Sequence, residues 1–386
     1  MNETFNFIIV GAGSAGCAVA NRLSKNPENK ILLIEAGNNS HPLSRLPASF
    51  ALLIDNPIAN WRYRSEPEEN TSNRQIPIPR GKLLGGSSSI NGLVYVRGNK
   101  LDYDTWAQLG NTGWSYDDVL PFFKKMENYQ GEITEVRSTE GPLKISEVVD
   151  RNPIYEGLFK GAEEIGIPIN KDYNGHEQEG ISYTQTTIFK GERMSAEVAY
   201  LKPIRSRKNL TIITNSLVTK LLFDGKTCIG VKVKNKNKIK DFFVQNEVIL
   251  CGGAINSPQI LELSGIGNRS ILEEKGISLV HELKGVGENL RDHLGPRLVY
   301  NITKRGISYN DKARGINLIK QVLAYAFKRQ GFLTLPSAPV LGFFKTRKEL
   351  VAPDIQVHFI PYKVVLNNGK RTLGKEPGIT LSLIHI

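Results

Sequence analysis

The stretch FNFIIVGAGSAGCAVANRLSKNPENKILLIE, residues 5–35, decides the fold class of this 386-residue chain. Phe5 to Val10 is a short apolar run ending at a glycine, which is typical of a buried parallel strand. Helical periodicity follows from Ser14 to Ser24, and a second apolar run, Lys30 to Ile34, ends at Glu35. This order predicts a compact β-α-β unit with its glycines at the strand-to-helix turn.

The glycines of this unit, Gly11, Gly13 and Gly16, satisfy the pattern GxGxxG. The first permits a tight turn, the second lets a pyrophosphate approach the backbone, and the third allows close packing of helix on strand. Free amide groups at the helix N-terminus then face the phosphates. Glu35 lies 19 residues beyond Gly16, where a carboxylate can accept hydrogen bonds from ribose hydroxyls. The pattern predicts a dinucleotide site and fits both NAD and FAD enzymes.

A second motif, RGKLLGGSSSIN at Arg80–Asn91, places paired glycines before three serines. Such a segment exposes unhindered amides and small hydroxyls, which suit a second anion or the edge of a flavin ring. The alternative interpretation is a flexible polar loop. The apolar pairs on both sides, Leu83-Leu84 and Leu93-Val94, favour a packed segment instead.

A third motif, GAINSPQILELSGIG at Gly253–Gly267, follows the apolar run Glu247–Leu250. That run predicts another buried strand of the nucleotide-binding domain, and a helix is predicted from Ser257 onward. Several short strands and a segment rich in Pro, Asn and Ser lie between the first and third motifs. Pieces of one nucleotide-binding domain are therefore expected to alternate with pieces of a different layer.

Composition indicates an ordinary globular protein, with 40% hydrophobic and 23% charged residues. The length exceeds the size at which one hydrophobic core stops growing, so two joined domains are expected. The net charge of +12 includes an alternating lysine run, Lys232–Lys240, which predicts the solvated face of a hairpin turning near Asn235–Asn237. No aromatic residues interleave with these lysines, so nucleic-acid binding is not expected.

Three cysteines, Cys17, Cys228 and Cys251, form no CxxC pair, which favours a reducing, cytoplasmic compartment. The N-terminus lacks the pattern of a cleaved signal peptide. The sequence also has no run of about 18 apolar residues, so no transmembrane helix is predicted. Peripheral membrane association stays open. The histidines have no partners at ligand spacing, so no metal site is predicted.

The three motifs resemble those of the glucose–methanol–choline (GMC) oxidoreductase family, in its choline dehydrogenase-like or alcohol dehydrogenase-like branch. The first family signature is similar to Gly81–Arg97 and the second to Gly253–Gly267. The resemblance extends to Asp102–Glu127, Met194–Leu201 and Gly285–His293. It covers essentially the whole chain, with several long motifs in the family's order.

The resemblance implies an α/β protein with two domains. The first is a Rossmann-like FAD-binding domain of discontinuous segments, residues 1–37, 80–130 and 205–300. Residues 38–79 are expected to connect these segments while packing on the cofactor. The second is an α+β substrate domain, incomplete in this chain, from residues 131–204 and 301–386.

The resemblance also implies that FAD is bound non-covalently, since Ile90 stands where some relatives tether the flavin through a histidine. The isoalloxazine ring is expected near Asn91 to Val94, and the backbone of Val218 near the adenine. The cofactor-binding residues that the resemblance implies are Gly11, Gly13, Ser14, Ala15, Gly16, Glu35, Ala36, Arg80, Leu83, Gly86, Ser87, Asn91, Gly92, Leu93, Val94 and Val218.

The implied reaction is oxidation of a small-molecule alcohol, a primary one, to an aldehyde by hydride transfer to flavin N5; the electron acceptor and the oligomeric state are not specified. The family's catalytic histidine and its Asn or His partner belong to a C-terminal segment beyond LSLIHI. No catalytic residue is therefore assigned, and His385 is not a match. Pro339 occupies the position of a glutamate in choline-specific relatives, which disfavours choline. A catalytically incomplete FAD-binding fragment and an NAD-dependent dehydrogenase stay open as alternatives.

Overall fold

The computed structural model describes residues 3–367 and 370–386. The α-helices in these ranges are α1 (Ser14–Leu23), α2 (Phe50–Leu53), α3 (Lys100–Gln108), α4 (Tyr116–Met126), α5 (Pro153–Glu164), α6 (Gly253–Leu263), α7 (Arg269–Glu274), α8 (Tyr309–Lys312) and α9 (Gly315–Lys328). Shorter helical segments of 3-10 geometry are Pro47–Ser49, Glu69–Thr71, Gly86–Ser89, Lys202–Ile204 and Phe332–Thr334, and Glu197–Leu201 is a π-helical turn. No helix in the described ranges combines the length and apolar character needed to cross a bilayer.

The strands in the same ranges are β1 (Thr4–Val10), β2 (Ile31–Ile34), β3 (Tyr63–Arg64), β4 (Pro77–Ile78), β5 (Glu127–Tyr129), β6 (Leu143–Glu147), β7 (Gly180–Tyr183), β8 (Gln185–Thr186), β9 (Ile188–Phe189), β10 (Glu192–Arg193), β11 (Leu210–Ile213), β12 (Leu217–Asp224), β13 (Thr227–Asn235), β14 (Lys238–Leu250), β15 (Ile266–Gly267), β16 (His281–Glu282), β17 (Arg297–Asn301), β18 (Val340–Phe344), β19 (Ile355–Ile360), β20 (Val364–Asn367), β21 (Lys370–Leu373) and β22 (Gly378–His385).

The chain forms two compact units. Unit 1 comprises Met1–Arg45, Ser49–Asn91 and Ser195–Arg291. Unit 2 comprises Leu46–Ala48, Gly92–Met194 and Asp292–Ile386.

Unit 1 is built on a six-stranded sheet of order β11-β2-β1-β14-β13-β12. Strands β11, β2, β1 and β14 pair in parallel, whereas β12, β13 and β14 pair antiparallel. The parallel part is apolar on both faces because helices cover such strands, and all four residues of β2 are buried. Phe5, Ile8 and Val10 of β1 pack in one core with Val231 and Ile260.

Strand β14 corrects one prediction. The run Glu247–Leu250 was predicted as a strand of its own, but it is the end of one strand of 13 residues. The register between β1 and β14 shifts opposite Phe5 and Phe7. This irregularity interrupts the apolar pattern without ending the strand, because a bulge adds a residue while the ladder continues on both sides.

Helix α6 begins earlier than predicted, at Gly253 rather than Ser257, and contains Pro258. Proline is favoured in the first helical turn, so the sequence placed the helix start just ahead of it. The structure accepts Pro258 deeper in the helix at the loss of one backbone hydrogen bond.

Unit 2 contains a five-stranded antiparallel sheet of order β17-β22-β19-β18-β7. Strand β22 alternates buried and half-buried residues over most of its length, as expected for a sheet with one covered face. Tyr155 and Ala162 of helix α5 pack against Ile181, Val340 and Phe359 of this sheet. Their contact forms a core of unit 2.

A buried ionic network joins several segments of unit 2. The Glu127 carboxylate, fully buried, is 2.7 Å from Nη2 of Arg97 and 3.1 Å from Nε of Arg137. Nη1 of Arg137 is also 2.6 Å from Oδ1 of Asp172. The Arg137 guanidinium lies 3.7 Å from the centre of the Tyr129 ring. Each buried charge thus has opposite charges or hydrogen-bond partners beside it, which such burial requires.

The two units divide the chain differently from the predicted domains at three places. Residues 292–300 belong to unit 2, where β17 pairs with β22. Residues 92–130 belong to unit 2, where β5 pairs with β6. Residues 195–204 belong to unit 1, where the carbonyl oxygen of Tyr200 accepts a hydrogen bond from Nδ2 of Asn21 at 2.8 Å. Most of residues 38–79 also lie in unit 1. These partners are distant in sequence, so the residue pattern alone did not reveal them.

Candidate functional site

Unit 1 contains a cavity of about 690 Å³ at the carboxyl ends of its parallel strands. The segments that follow β1, β2 and β14 line it, because neighbouring parallel strands end at the same edge of a sheet. Residues 80–81 and 86–87 and the start of β12 complete the wall. The volume lies within the range of small-molecule and cofactor sites.

The glycine pattern after β1 has three separate structural reasons. Gly11 has a φ of +99°, and a Cβ there would lie 2.5 Å from the carbonyl oxygen of Cys251. A Cβ on Gly16 would overlap the carbonyl oxygen of Gly11, so Gly16 permits the close packing of α1 on β1. Gly13 lines the cavity, and the nearest atom to a Cβ there is the Cα of Gly86, at 4.0 Å. A side chain at Gly13 would therefore project into free space beside the cavity wall.

The N-terminus of α1 favours an anion. Gly13 is the residue before the first helical turn and has no side chain to accept hydrogen bonds from the first N–H groups. The first turn also carries no acidic residue. Ser14 and Ala15 line the cavity at this end of the helix, where the unpaired amides and the helix dipole attract negative charge.

Glu35 is buried at the end of β2, and both carboxylate oxygens accept backbone hydrogen bonds. Oε2 accepts from the N–H of Ala12 at 2.9 Å and Oε1 from the N–H of Gly37 at 2.8 Å. Burial raises the pKa of the Glu35 carboxyl above its usual value, while these two hydrogen bonds and the charge of Lys82 lower it. Each carboxylate oxygen keeps a further lone pair that a ligand hydroxyl can use.

The second glycine run packs against the first. The N–H of Gly85 donates to the carbonyl oxygen of Ala12 at 2.8 Å. Gly85 and Gly86 have φ values of +86° and +52°, which favour glycine. Oγ of Ser87 accepts a hydrogen bond from the N–H of Gly81 at 3.1 Å and thereby closes the turn. The GGSSS segment is an ordered wall of the cavity rather than a flexible loop.

Aromatic and basic residues lie beside this wall, and of these only Arg80 was predicted to bind the cofactor. Trp61 lines the cavity, stacks on Tyr63 with ring centres 5.6 Å apart, and carries the Lys82 ammonium 4.5 Å from its ring centre. Nδ2 of Asn256 donates to the Tyr63 hydroxyl at 2.7 Å. Nη1 of Arg80, on the same wall, donates to the carbonyl oxygen of Pro79 at 2.8 Å. These contacts hold the side chains in place.

Ten of the predicted cofactor-binding residues line the cavity: Gly11, Gly13, Ser14, Ala15, Glu35, Ala36, Arg80, Gly86, Ser87 and Val218. Gly16 is not among the lining residues; it permits the close packing of α1 on β1. Leu83 is buried in a small core with Leu53, Ala59 and Ile90.

The remaining four predicted cofactor-binding residues, Asn91 to Val94, are not among those that line the cavity. Asn91 is exposed at the end of a segment of unit 1, and the next three residues belong to unit 2. Leu93 has a φ of +68°, and its carbonyl oxygen accepts from the N–H of Thr187 at 2.9 Å. The Val94 side chain packs with Tyr173 and Phe343. Their predicted role beside the flavin ring stays a prediction.

The start of helix α6 is a part of the cavity wall that the sequence did not assign. Gly252 to Ser257 line it, directly after β14. The available signal was a strand ending in a glycine pair, which repeats the arrangement after β1. Because β1 and β14 are parallel neighbours, their following turns meet at one edge.

The histidines do not line this cavity. Nδ1 of His293 lies 2.8 Å from the carbonyl oxygen of His385, at the end of β22. His358 lies in β19, and burial lowers its pKa to about 4. In residues 3–367 and 370–386 no group of three His, Cys, Asp or Glu side chains is arranged to hold a metal ion.

Comparison with known proteins gives the family. Residues 5–295 match GMC oxidoreductase. The chain is 39% identical over 389 residues to the alcohol dehydrogenase (acceptor) of Pseudomonas putida, covering 99% of this chain and 70% of that protein. It is also 39% identical over 368 residues to the oxygen-dependent choline dehydrogenase of Photobacterium profundum, covering 94% of this chain and 64% of that protein.

A solved structure agrees with this match. Formate oxidase of Aspergillus oryzae RIB40, studied for modification of its FAD, superposes with a TM-score of 0.91 at 27% identity, covering 100% of this chain and 73% of that chain. The chain thus spans about two thirds of the length of its relatives. The chain belongs to the GMC oxidoreductase family, whose members are FAD-binding flavoproteins.

Proposed function

We propose that the cavity of unit 1 binds FAD non-covalently and that this flavin serves the oxidation of a primary alcohol to an aldehyde. The observation that carries the proposal is the convergence of three glycine-rich turns and the buried Glu35 carboxylate on one cavity. Amides at the α1 N-terminus suit the pyrophosphate, and a buried acid at the end of the second strand suits the adenosine ribose.

The residues present fit such a group. Gly13 leaves free space where a larger residue would obstruct a pyrophosphate. The residues of the α1 N-terminus would hold the phosphates, and Glu35 would accept hydrogen bonds from the ribose hydroxyls. The chemistry that FAD supplies when bound is acceptance of a hydride at N5. The protein's part is to hold the cofactor and limit the access of water.

Non-covalent binding is supported by Ile90. Its side chain is buried with Leu53, Ala59 and Leu83 and offers no nucleophile for a covalent link to flavin. Acid precipitation of the loaded protein should therefore leave the flavin in the supernatant. Flavin that stays with the precipitate would contradict this part of the proposal.

The substrate is proposed to be an alcohol other than choline. Pro339 stands where choline-specific relatives carry a glutamate, and no Asp or Glu occurs from Lys312 to Lys348. A quaternary ammonium would find no carboxylate in this segment to balance its charge. Both an alcohol dehydrogenase and choline dehydrogenases are among the relatives, so this choice rests on the residues of this chain.

Titration of the purified chain with FAD tests cofactor choice. We expect a bound-flavin absorption spectrum and quenching of the Trp61 fluorescence, with much weaker binding of NAD. The variant Trp61→Phe should lose most of the quenching yet keep the flavin spectrum. Gly13→Val should lose both while keeping its melting temperature, because its side chain occupies the pyrophosphate position. Preferential binding of NAD, or FAD binding unchanged by Gly13→Val, would overturn the proposal.

A further inference from the structure

Helix α9 of unit 2 exposes an apolar stripe. Ile316, Ile319, Leu323 and Phe327 follow the spacing that places residues on one helical face. All four side chains are exposed, Ile316 by 70% and Phe327 by 83%. A contiguous apolar surface that stays exposed marks an interaction site.

The opposite face of α9 attaches the helix to unit 2. Oε1 of Gln321 accepts a hydrogen bond from the N–H of Phe332 at 2.8 Å. The Arg329 guanidinium lies 4.7 Å from the centre of the Tyr325 ring and 3.5 Å from the Glu192 carboxylate. The polar contacts of the helix thus point inward, and its apolar stripe points to solvent.

The charge around the stripe has one sign. From Lys312 to Lys348 the chain contains no Asp or Glu, although it contains eight Lys or Arg residues. Lys320 borders the stripe one turn beyond Ile316, and Lys328 ends the helix, both exposed. Within the described ranges neither lysine forms an ion pair. The surface therefore combines an apolar stripe with unbalanced positive charge.

We propose that α9 docks unit 2 on an anionic lipid bilayer, lying in the plane of the headgroups with the stripe among the acyl chains. Apolar residues on one face and Lys or Arg on the other are typical of interfacial helices. Fourteen residues make a helix about 21 Å long, shorter than the roughly 30 Å hydrocarbon core. The helix can lie on a membrane but cannot cross it.

A second copy of the chain fits this surface less well. A two-fold contact between stripes would bring Lys320 and Lys328 of both copies together, with no acidic residue in the segment to separate them. Anionic headgroups balance these lysines instead, and their long side chains can reach the headgroups beside the stripe. This inference does not depend on the proposed flavin chemistry.

Co-sedimentation with lipid vesicles tests the inference on the full chain. We expect at least about tenfold stronger partitioning into vesicles of equimolar phosphatidylglycerol and phosphatidylcholine than into phosphatidylcholine alone. About 0.5 M NaCl should weaken the binding, because salt screens the lysine contribution. The double variant Leu323→Glu with Phe327→Glu should lose at least about tenfold in partitioning. Lys320→Gln with Lys328→Gln should lose the preference for the anionic lipid.

The matched control is Leu109→Glu with Ile165→Glu, which adds the same charge at two exposed apolar positions of unit 2 outside α9. This variant should bind vesicles within about twofold of the unchanged chain. Equal loss in the control and the α9 variant would overturn the inference, as would equal binding to both lipids. Sedimentation equilibrium provides a further outcome. If the unchanged chain forms a dimer and binds no vesicles, and the α9 variant is a monomer, then the stripe is a contact between copies and the membrane inference is wrong.

Discussion

The backbones of Gly13 and Gly86 approach so closely that a Cβ on Gly86 would lie 2.7 Å from the Cα of Gly13. The two residues belong to different glycine-rich motifs, about seventy positions apart in the sequence. Their contact brings the helix start after β1 against the GGSSS turn. The two motifs therefore form one continuous wall, and each constrains the other.

Gly86→Ala should weaken FAD binding by about 10- to 100-fold, because the new methyl group must displace the Gly13 backbone. The matched control is Gly225→Ala. Gly225 also has a positive φ, +56° against +52° for Gly86, but a Cβ there would meet nothing within 4 Å. Alanine at either position must adopt a left-handed backbone conformation, which costs about 1–2 kcal/mol in both variants. FAD titration should separate them, and an equal loss of affinity in both would mean that the contact with Gly13 has no effect on the site.

Glu35→Gln should weaken FAD binding by about 1–3 kcal/mol, the scale for losing a buried charge-assisted hydrogen bond. A ribose hydroxyl donates to the ionised carboxylate, and burial raises the pKa of that group. FAD affinity should therefore rise as pH rises through the raised pKa of Glu35 and level off above it. Affinity measured as a function of pH should become flat in Glu35→Gln and keep its slope in the exposed control Glu28→Gln. A slope that persists in Glu35→Gln would assign it to another group.

The sequence predicted local features well because their signals are local. The cap of α4 is one such local signal: Ser115 precedes the helix, and its Oγ accepts from the N–H of Asp118 at 3.3 Å. The lysine hairpin turns between Asn235 and Lys238, as the alternating pattern predicted. The predicted bounds of the β-α-β opening agree with the observed bounds of β1, α1 and β2 to within one residue.

The features that were missed depend on partners far apart in the chain. Glu127 meets Arg97 and Arg137 through tertiary packing, which leaves no periodic pattern in the sequence. Trp61 belongs to the segment 38–79 that was expected to pack on the cofactor, but no motif marked it as a cavity residue. The exposed stripe of α9 has the same apolar periodicity as a core-facing helix, so periodicity alone could not show which way it faces.

Glu127→Gln should lower the free energy of unfolding by about 3–5 kcal/mol, because two buried guanidinium groups lose their shared counter-charge. The control is Glu135→Gln, which changes an exposed carboxylate whose Oε1 lies 2.5 Å from Nε2 of His176. Exposed pairs contribute little, so this control should unfold like the unchanged chain. Thermal melting monitored by circular dichroism measures both. A Glu127→Gln variant as stable as the control would show that the network does not hold unit 2 together.

His358 should make the protein sensitive to mild acid. Burial lowers its pKa to about 4, so the unfolded chain binds a proton more readily than the folded chain between that value and about 6.5. The stability contributed by neutral His358 is complete above pH 6.5 and is lost as pH falls toward 4. Between pH 7.5 and pH 5 the loss should be about 2 kcal/mol.

The variant His358→Gln isolates this effect, since glutamine keeps a hydrogen-bonding side chain that does not titrate. Urea unfolding at pH 7.5 and pH 5 should show a smaller difference for the variant than for the unchanged chain. The result would contradict the assignment if both proteins lost the same stability on acidification.

Strand β1 acquires its two neighbours at very different times during synthesis. Ile8 pairs with Leu32, 24 residues later, and with Val248, 240 residues later. A ribosome adding about 5–20 residues per second takes roughly 12–48 s to cover the longer interval. One edge of β1 stays open meanwhile, as residues 92–194 of the other unit emerge, and open strand edges recruit wrong partners. The nascent protein therefore depends on protection of that edge, by chaperones or by rapid folding of the inserted segment, until β14 arrives.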